Sequence, residues 1–283
     1  MFRRIIIFVS VVFFIADQAS ALQVRDARGV MVKLTHTPHR IVSLSPNNTE
    51  ILFALGLGDR VVGVTRFCTY PPQARSKAKV GDMTMSSEAI IALKPDLVLA
   101  HAALQDHIIP KLEKLGLTVF AVDPKTIEQT ISTIISIGEI TGSSKKARAI
   151  ASDMTAQLKS VVAKSRTLKK HSVLISVQAN PLWAAGPKTI PNEMLSLLKM
   201  NNVAKDARPG YVTFSDELAI ARNPELIVVG TKSDALYFKK ASIWKTTPAV
   251  RNNRVVVIDP DTLVRPGPRL IKGLKLLAAK LSF

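Results

Sequence analysis

The chain repeats itself, and that restricts what it can fold into. Ser86-Ser87-Glu88-Ala89-Ile90-Ile91-Ala92-Leu93-Lys94-Pro95-Asp96-Leu97 and Ser215-Asp216-Glu217-Leu218-Ala219-Ile220-Ala221-Arg222-Asn223-Pro224-Glu225-Leu226 share the pattern Ser-x-Glu-x-x-Ile-Ala-x-x-Pro-acid-Leu, and from Ser86 to Ser215 the offset is 129 residues. From Val122-Asp123-Pro124 to Ile258-Asp259-Pro260 it is 136, and strands expected near Ile41 and Val173 lie a similar distance apart. Helix–proline–strand junctions are common in α/β proteins, so one match alone would say little. Three landmarks in one order describe a duplicated unit. At roughly 100–200 residues per domain, the 283 residues accommodate two such halves.

Each half alternates short apolar runs with helical patterns. In the first, strands are expected at 40–44, 60–65, 96–100 and 117–122, with helices at 48–55, 86–93 and 108–115. Asn47 or Asn48 would cap the first helix and Gly56 would end it. In the second half, strands are expected at 173–177, 226–229 and 255–259, and helices at 192–198, 215–221 and 268–281. Such alternation predicts an α/β fold with mostly parallel sheets.

Between the halves the pattern becomes helical, first over 127–140 and then from Ser143-Ser144 to about Leu168. In the second stretch Ala147, Ile150, Ala151, Met154, Leu158, Val161 and Val162 fall on one helical face, with Lys145, Lys146, Lys159 and Lys164 off it. About 25 residues at 1.5 Å each make a rod of roughly 37 Å, long enough to bridge two lobes. The expected architecture is two Rossmann-like α/β lobes, 22–142 and 169–283, joined by a single long helix over 143–168.

Residues 1–21 have the layout of a secretory signal peptide. Met1-Phe2-Arg3-Arg4 is basic, 5–16 is nearly unbroken apolar sequence, and Ala19-Ser20-Ala21 supplies small residues for cleavage after Ala21. The apolar run is shorter than the ~20 residues needed to span a bilayer. An exported, periplasmic protein is expected. This bears on the charge of +18, from 39 Lys+Arg against 21 Asp+Glu, which would otherwise suggest a polyanion. An exported protein does not meet the chromosome, so no nucleic-acid partner is expected. The lysine pairs 145–146, 169–170 and 239–240 are well separated, as in a general surface property. One cysteine rules out an internal disulfide framework or a multi-cysteine metal site.

Ligands of open α/β sheets sit beyond the carboxyl ends of the strands, and two bridged lobes would form a cleft there. The residues just past the strands are the candidates: Ser45 to Asn48, Arg66-Phe67, His101, and Asp261 through Arg265. Tyr211, in the apparent loop Arg208-Pro209-Gly210-Tyr211, and Trp183 join them from the second half. Aromatics are only 5% of the chain, so Phe67 and Tyr211 outside core patterns are readable either as ligand-facing rings or as covers for the lobe edges. His101 is the one histidine at a strand end; a polar contact is the plainer reading and metal ligation the alternative. No catalytic constellation is present. Gly-x-Ser-x-Gly and His-Glu-x-x-His are absent, Gly56-Leu57-Gly58 follows a helix rather than a strand, and Cys68 has no histidine nearby in sequence.

The stretch Ile41 to Gly56, containing Ser45-Pro46-Asn47-Asn48-Thr49-Glu50, resembles the start of the periplasmic substrate-binding proteins that serve cobalamin, haem and iron–siderophore ABC importers. Tyr70-Pro71-Pro72, Val80-Gly81, Ala92 to Val98 and Arg265-Pro266-Gly267-Pro268-Arg269 continue the resemblance over nearly the whole mature chain. It is nearest to the cobalamin-binding branch. The resemblance implies two lobes on one rigid helix and no enzymatic activity. It also implies a monomer without a cofactor of its own, which carries a corrinoid edge-on between the lobes to a permease dimer and its ATPase. By position Phe67 matches a family tyrosine, Tyr211 a family tryptophan, and Asp261 and Arg265 a matching acid and arginine. A tryptophan expected after Leu99 is replaced near His101, and another, expected after Val80-Gly81, by Asp82-Met83-Thr84. These departures keep haem or a ferric siderophore as the alternative ligand; an exported α/β hydrolytic enzyme using Cys68 is the alternative from another class. Glu88 and Glu217 each sit in the first turn of a helix, where negative charge is favourable. The resemblance implies a second role, pairing with an arginine on each half of the permease dimer; two related acidic points suit a two-fold partner.

Overall fold

The computed structural model describes residues 22–82 and 84–282, so the signal peptide expected over 1–21 lies outside them. β1 (Leu22–Arg25) and β2 (Met31–Leu34) form an antiparallel hairpin. The first lobe is built on β3 (Ile41–Ser43), β4 (Val61–Val64), β5 (Ala78–Lys79), β6 (Leu97–His101) and β7 (Val119–Val122). They pair in the order β5-β4-β3-β6-β7, all parallel. β3, β6 and the edge strand β7 are almost wholly buried, as expected of apolar runs covered by helices on both faces.

The second lobe holds β8 (Ser172–Gln178), β9 (Trp183–Ala185), β10 (Asn201–Asn202), β11 (Tyr211–Thr213), β12 (Leu226–Val229) and β13 (Val255–Val257). The order is β11-β9-β8-β12-β13, with β10 also pairing with β8. On one side of β8 the strands are parallel; on the other, β9 folds back antiparallel and β11 pairs antiparallel with β9. The α/β expectation holds, but β9 and β11 were not anticipated. Tyr211 therefore opens a strand rather than lying in a loop, because Pro209-Gly210 turns the chain into an edge pairing of Tyr211 with Ala185.

Each position of the repeated pattern has a structural task. Ser86 Oγ accepts from the Ala89 N–H at 3.1 Å and Ser215 Oγ from the Leu218 N–H at 3.2 Å, capping the helices Ser87–Ala92 and Asp216–Ala221. Lys94 and Asn223, at matching positions, adopt left-handed backbone with φ 44° and 47°, which turns the chain from helix to strand. The acid then pins the start of the central strand: Asp96 accepts from the N–H groups of His39 and Arg40, and Glu225 from that of Ser172.

The helix following β3 runs Pro46–Ala54, two residues earlier than expected. Its N-cap is Ser45 rather than Asn47 or Asn48, since Pro46 suits the first turn, where no N–H is needed. Asn48 is buried instead and donates to the Ala100 carbonyl at 3.2 Å, tying the helix to β6.

The bridging helix runs Ser144–Ser165, 22 residues, or about 33 Å. It crosses the helix Ile127–Ile140 where Gly138 faces Ala147 so closely that any side chain on Gly138 would collide. Its buried Ala147, Met154 and Val161 belong to one core that also contains Ile51 and Phe120 of the first lobe and Ile175 and Leu274 of the second. Each lobe has a further core on its outer side, around Ile90 in the first and around Phe238 and Trp244 in the second. No helix among the described residues is long and apolar enough to cross a membrane.

Candidate ligand cleft and docking points

The carboxyl ends of β3 and β6 carry Ser45 to Asn47 and His101 to one wall of a cleft of about 390 Å³ between the lobes. Leu104 and Lys125 complete that wall; Lys188, Tyr211 and Arg265 face them from the second lobe. Three expected site residues, His101, Tyr211 and Arg265, are thus brought together. Asp261 stands behind the cleft, its Oδ1 2.8 Å from Arg265 Nε. Phe67 is 47% exposed past the end of β4 and does not line the cleft. Trp183 opens β9 and does not line it either.

His101 is held by its backbone, whose N–H donates to Gln105 Oε1; Gln105 in turn donates to the Leu44 carbonyl, locking the ends of β6 and β3 together. The imidazole Nε2 is 3.4 Å from Asp123, which also pairs with Lys125. Nδ1 is buried without a hydrogen-bond partner. Burial pushes the His101 pKa down, and Asp123 opposes this only in part, so the ring is neutral near pH 7. Burial pushes the Tyr211 phenol up to about 12, leaving a neutral hydroxyl in the cleft wall. Arg265 Nη1 is also buried without a hydrogen-bond partner. No carboxylate belongs to the lining, whereas Lys125, Lys188 and Arg265 do; the cleft surface itself is positive and its acids stand one layer behind.

Sequence reading left several lining residues unmarked, among them Leu104, Lys125 and Lys188. Lys125 follows Asp123-Pro124, itself a landmark of the repeat. Lys188 has φ 60° beside Gly186-Pro187, a turn signal just before the Thr189-capped helix Ile190–Leu197. Leu104 carried no signal.

Glu88 and Glu217 stand at the first turns of their helices. These helices run back from the carboxyl edges of the sheets, which puts both carboxylates on the cleft side. Glu88 accepts from Ser86 and Ser87 at 3.0 and 2.9 Å and lies 3.7 Å from Lys111. The helix N–H, then the two serine hydroxyls, lower its pKa to about 2. Glu217 accepts from Ser215 at 2.6 Å, which lowers its pKa too. Burial, reinforced by Glu217, raises that of neighbouring Asp216.

Cys68 is 1% exposed, and its sulfur meets the hydroxyls of Thr49 and Thr65. A sealed thiol has no access to substrate, which removes the hydrolase alternative's nucleophile. Among the described residues no group of three His, Cys, Asp or Glu side chains is placed to hold a metal ion.

The sequence matches the periplasmic binding protein family over residues 41–262. It is 40% identical over 261 residues to YvrC of Bacillus subtilis (strain 168), described as an uncharacterized ABC transporter substrate-binding lipoprotein, covering 89% of this chain and 83% of that protein. It is 31% identical over 245 residues to a vitamin B12-binding protein of Salmonella typhimurium, covering 86% of this chain and 90% of that one. The solved structure of the periplasmic heme-binding protein RhuT from Roseiflexus sp. RS-1, in apo form, superposes with a TM-score of 0.78 at 26% identity, covering 87% of this chain and 98% of that one.

Proposed function

Because the chain belongs to the periplasmic binding protein family, and is the substrate-binding protein of an ABC importer rather than an enzyme, we propose that it captures a corrinoid of the cobalamin type. It would pass this ligand to a permease dimer driven by an ATPase. The observation that carries the reading is the convergence of neutral His101, neutral Tyr211 and the Arg265 guanidinium, whose Nη1 makes no hydrogen bond, on one interlobe cleft. A flat macrocycle fits edge-on: Tyr211 packs against it, and Arg265, oriented by Asp261, donates to its amide or phosphate periphery. Phe67 adds a ring from the rim. At about 390 Å³ the cleft is near the lower end of the ~300–1,000 Å³ range for ligand pockets, so part of the ligand stays outside for hand-over. The relative that binds vitamin B12 supports the choice.

Glu88 and Glu217 are the docking points on the permease, and the corrinoid is cargo, with no resident cofactor or metal. Export follows cleavage after Ala21, and the mature protein works as a periplasmic monomer.

Titration calorimetry with cyanocobalamin, haemin and a ferric siderophore tests the ligand. Nanomolar binding of cyanocobalamin, about −11 kcal/mol at 10 nM, is expected; tight haemin binding with no cobalamin binding below about 10 μM would replace the first reading by the second. One observation favours that second reading, haem: a neutral imidazole with a buried, unpartnered nitrogen suits an iron ligand. The burial of Nδ1 opposes it, because Nε2 faces Asp123 and the one nitrogen left for iron is closed off from the cleft. The visible spectrum of haemin-loaded protein, compared with that of His101→Ala, decides between them.

A further inference from the structure

Glu50 belongs to the first lobe, yet its partners come from the second. Its carboxylate is 2% exposed on the helix Pro46–Ala54. Arg269, 219 residues later, donates from Nε to Oε2 at 2.8 Å and from Nη2 to Oε1 at 2.7 Å. This two-point fork fixes both distance and orientation. Arg265 Nη1 stands 3.6 Å from the same Oε1. Asp261 closes the group, holding Arg265 Nε at 2.8 Å and lying 3.5 Å from Arg269 Nη2. Tyr70 of the first lobe covers the Arg269 guanidinium at 3.9 Å, a cation–π contact.

The location of this cluster gives it a role beyond packing. The segment from Arg265 to Arg269 is a partition between two spaces. Arg265 and Pro266 line the ligand cleft on one side. Pro268 and Arg269, with Glu50 and Tyr70, line a separate groove of about 680 Å³ on the other. Glu50 is the anchor that holds this partition to the first lobe. A second cross-lobe tie lies elsewhere, where Glu193 accepts from the Ile127 N–H at 2.9 Å, so loss of Glu50 alone leaves the lobes attached.

We infer that Glu50 is a positioning residue for ligand capture: through Arg269 it sets the spacing of the lobes, and it holds the Arg265 guanidinium at the cleft wall. This rests on the cleft being the ligand site, but the lobe spacing is measurable without ligand. Cys68 is buried, so spin labels go selectively on Lys114→Cys in the first lobe and Lys239→Cys in the second, both exposed positions. Pulsed electron resonance on the unliganded protein is expected to give one narrow distance. Glu50→Gln and Arg269→Met, each folded by circular dichroism, are expected to broaden and lengthen it, and Glu193→Gln to leave Arg265 in place.

Stopped-flow release of cyanocobalamin or haemin is the second arm. Glu50→Gln is expected to speed dissociation about tenfold with little change in association, as for loss of one partner from a buried charge pair. In an Arg265→Met background the further gain is expected to be well below tenfold, since only the Arg269 route remains, a non-additivity that simple destabilisation would not produce. Unchanged distances in both variants would overturn the proposal, as would additive release rates. Broadened distances in the two variants, alongside a wild-type protein that binds neither probe, would uphold the clamp and refute the ligand reading.

Discussion

The two lobes share a twelve-residue pattern, yet they differ in what surrounds it. In the five-stranded sheet of the first lobe every pairing is parallel, and β3 has helix-linked neighbours on both sides. In the second, β8 keeps the parallel neighbours β12 and β13, but its other flank is the antiparallel series β9 and β11. The conserved flank is the one that carries cap, left-handed turn, acid pin and the glutamate proposed for docking. The divergent flank brings Tyr211 to the cleft. On the proposed roles, duplication preserved what would meet a symmetric partner and altered what would meet an asymmetric ligand. The docking ends differ in one respect as well: Lys111 offsets Glu88, whereas Glu217 has Asp216 for a neighbour.

The strongest test of this division is the double reversal Glu88→Arg with Glu217→Arg. Uptake in cells is expected to fall more than about 100-fold while ligand affinity stays within about twofold, because charge juxtaposition acts at the permease alone. Unchanged uptake would remove the docking role. Next in size is the ligand side: Arg265→Ala is expected to weaken binding about 10- to 100-fold, the loss of hydrogen bonds from a charged donor. Phe67→Ala, outside the cleft lining, is expected to cost less than about threefold. A reversed order would move the site toward β4. Removing the caps probes the shared half. Ser86→Ala and Ser215→Ala are each expected to cost about 1 kcal/mol in chemical denaturation, and nearly equally, if the repeats are energetically alike.

Smaller still is the asymmetry of the docking ends. Glu217→Ala is expected to reduce uptake about threefold more than Glu88→Ala, since Lys111 already screens part of the Glu88 charge; Lys111→Ala would narrow the gap. The slightest effect concerns pH. Because burial lowers the His101 pKa, the folded state binds fewer protons than the unfolded chain. The stability this linkage contributes is therefore complete above about pH 6.5 and is lost progressively below it. His101→Gln is expected to flatten that slope in denaturation curves between pH 5 and 8.

Much of the architecture was readable because the repeat encodes local physics. Ser86, Lys94 and Asp96 each act within a few residues or on an adjacent strand, so their pattern survives in the linear sequence. The stripe from Ala147 to Val161 identified the bridge for the same reason. β9 and β11 were not legible: three-residue strands such as Trp183–Ala185 show no alternation, and their pairing is set by neighbours far along the chain. The helix Lys232–Lys240 was hidden too, because its core-facing Ala235 and Phe238 are outnumbered by polar residues. In the site, His101 and Arg265 were found by the rule that ligands gather at strand ends. The same rule nominated Phe67, but the lining residues of the first lobe follow β3, β6 and β7, not β4. Glu50 gave no sign of its role, since its partner lies 219 residues away.

The core shared through the bridge has a consequence for how the chain comes into being. Leu270, Ile271, Leu274, Leu277 and Leu281 fill that core from the final described helix and the residue after it. A ribosome delivers them after every other buried residue of that core. Until they emerge, the apolar stripe of the bridge and the inner faces of both lobes remain uncovered, so neither lobe can reach its finished state ahead of the other. Such a chain stays pliable until these residues emerge, and stopping it before Leu270 would leave a sticky intermediate rather than a smaller folded protein.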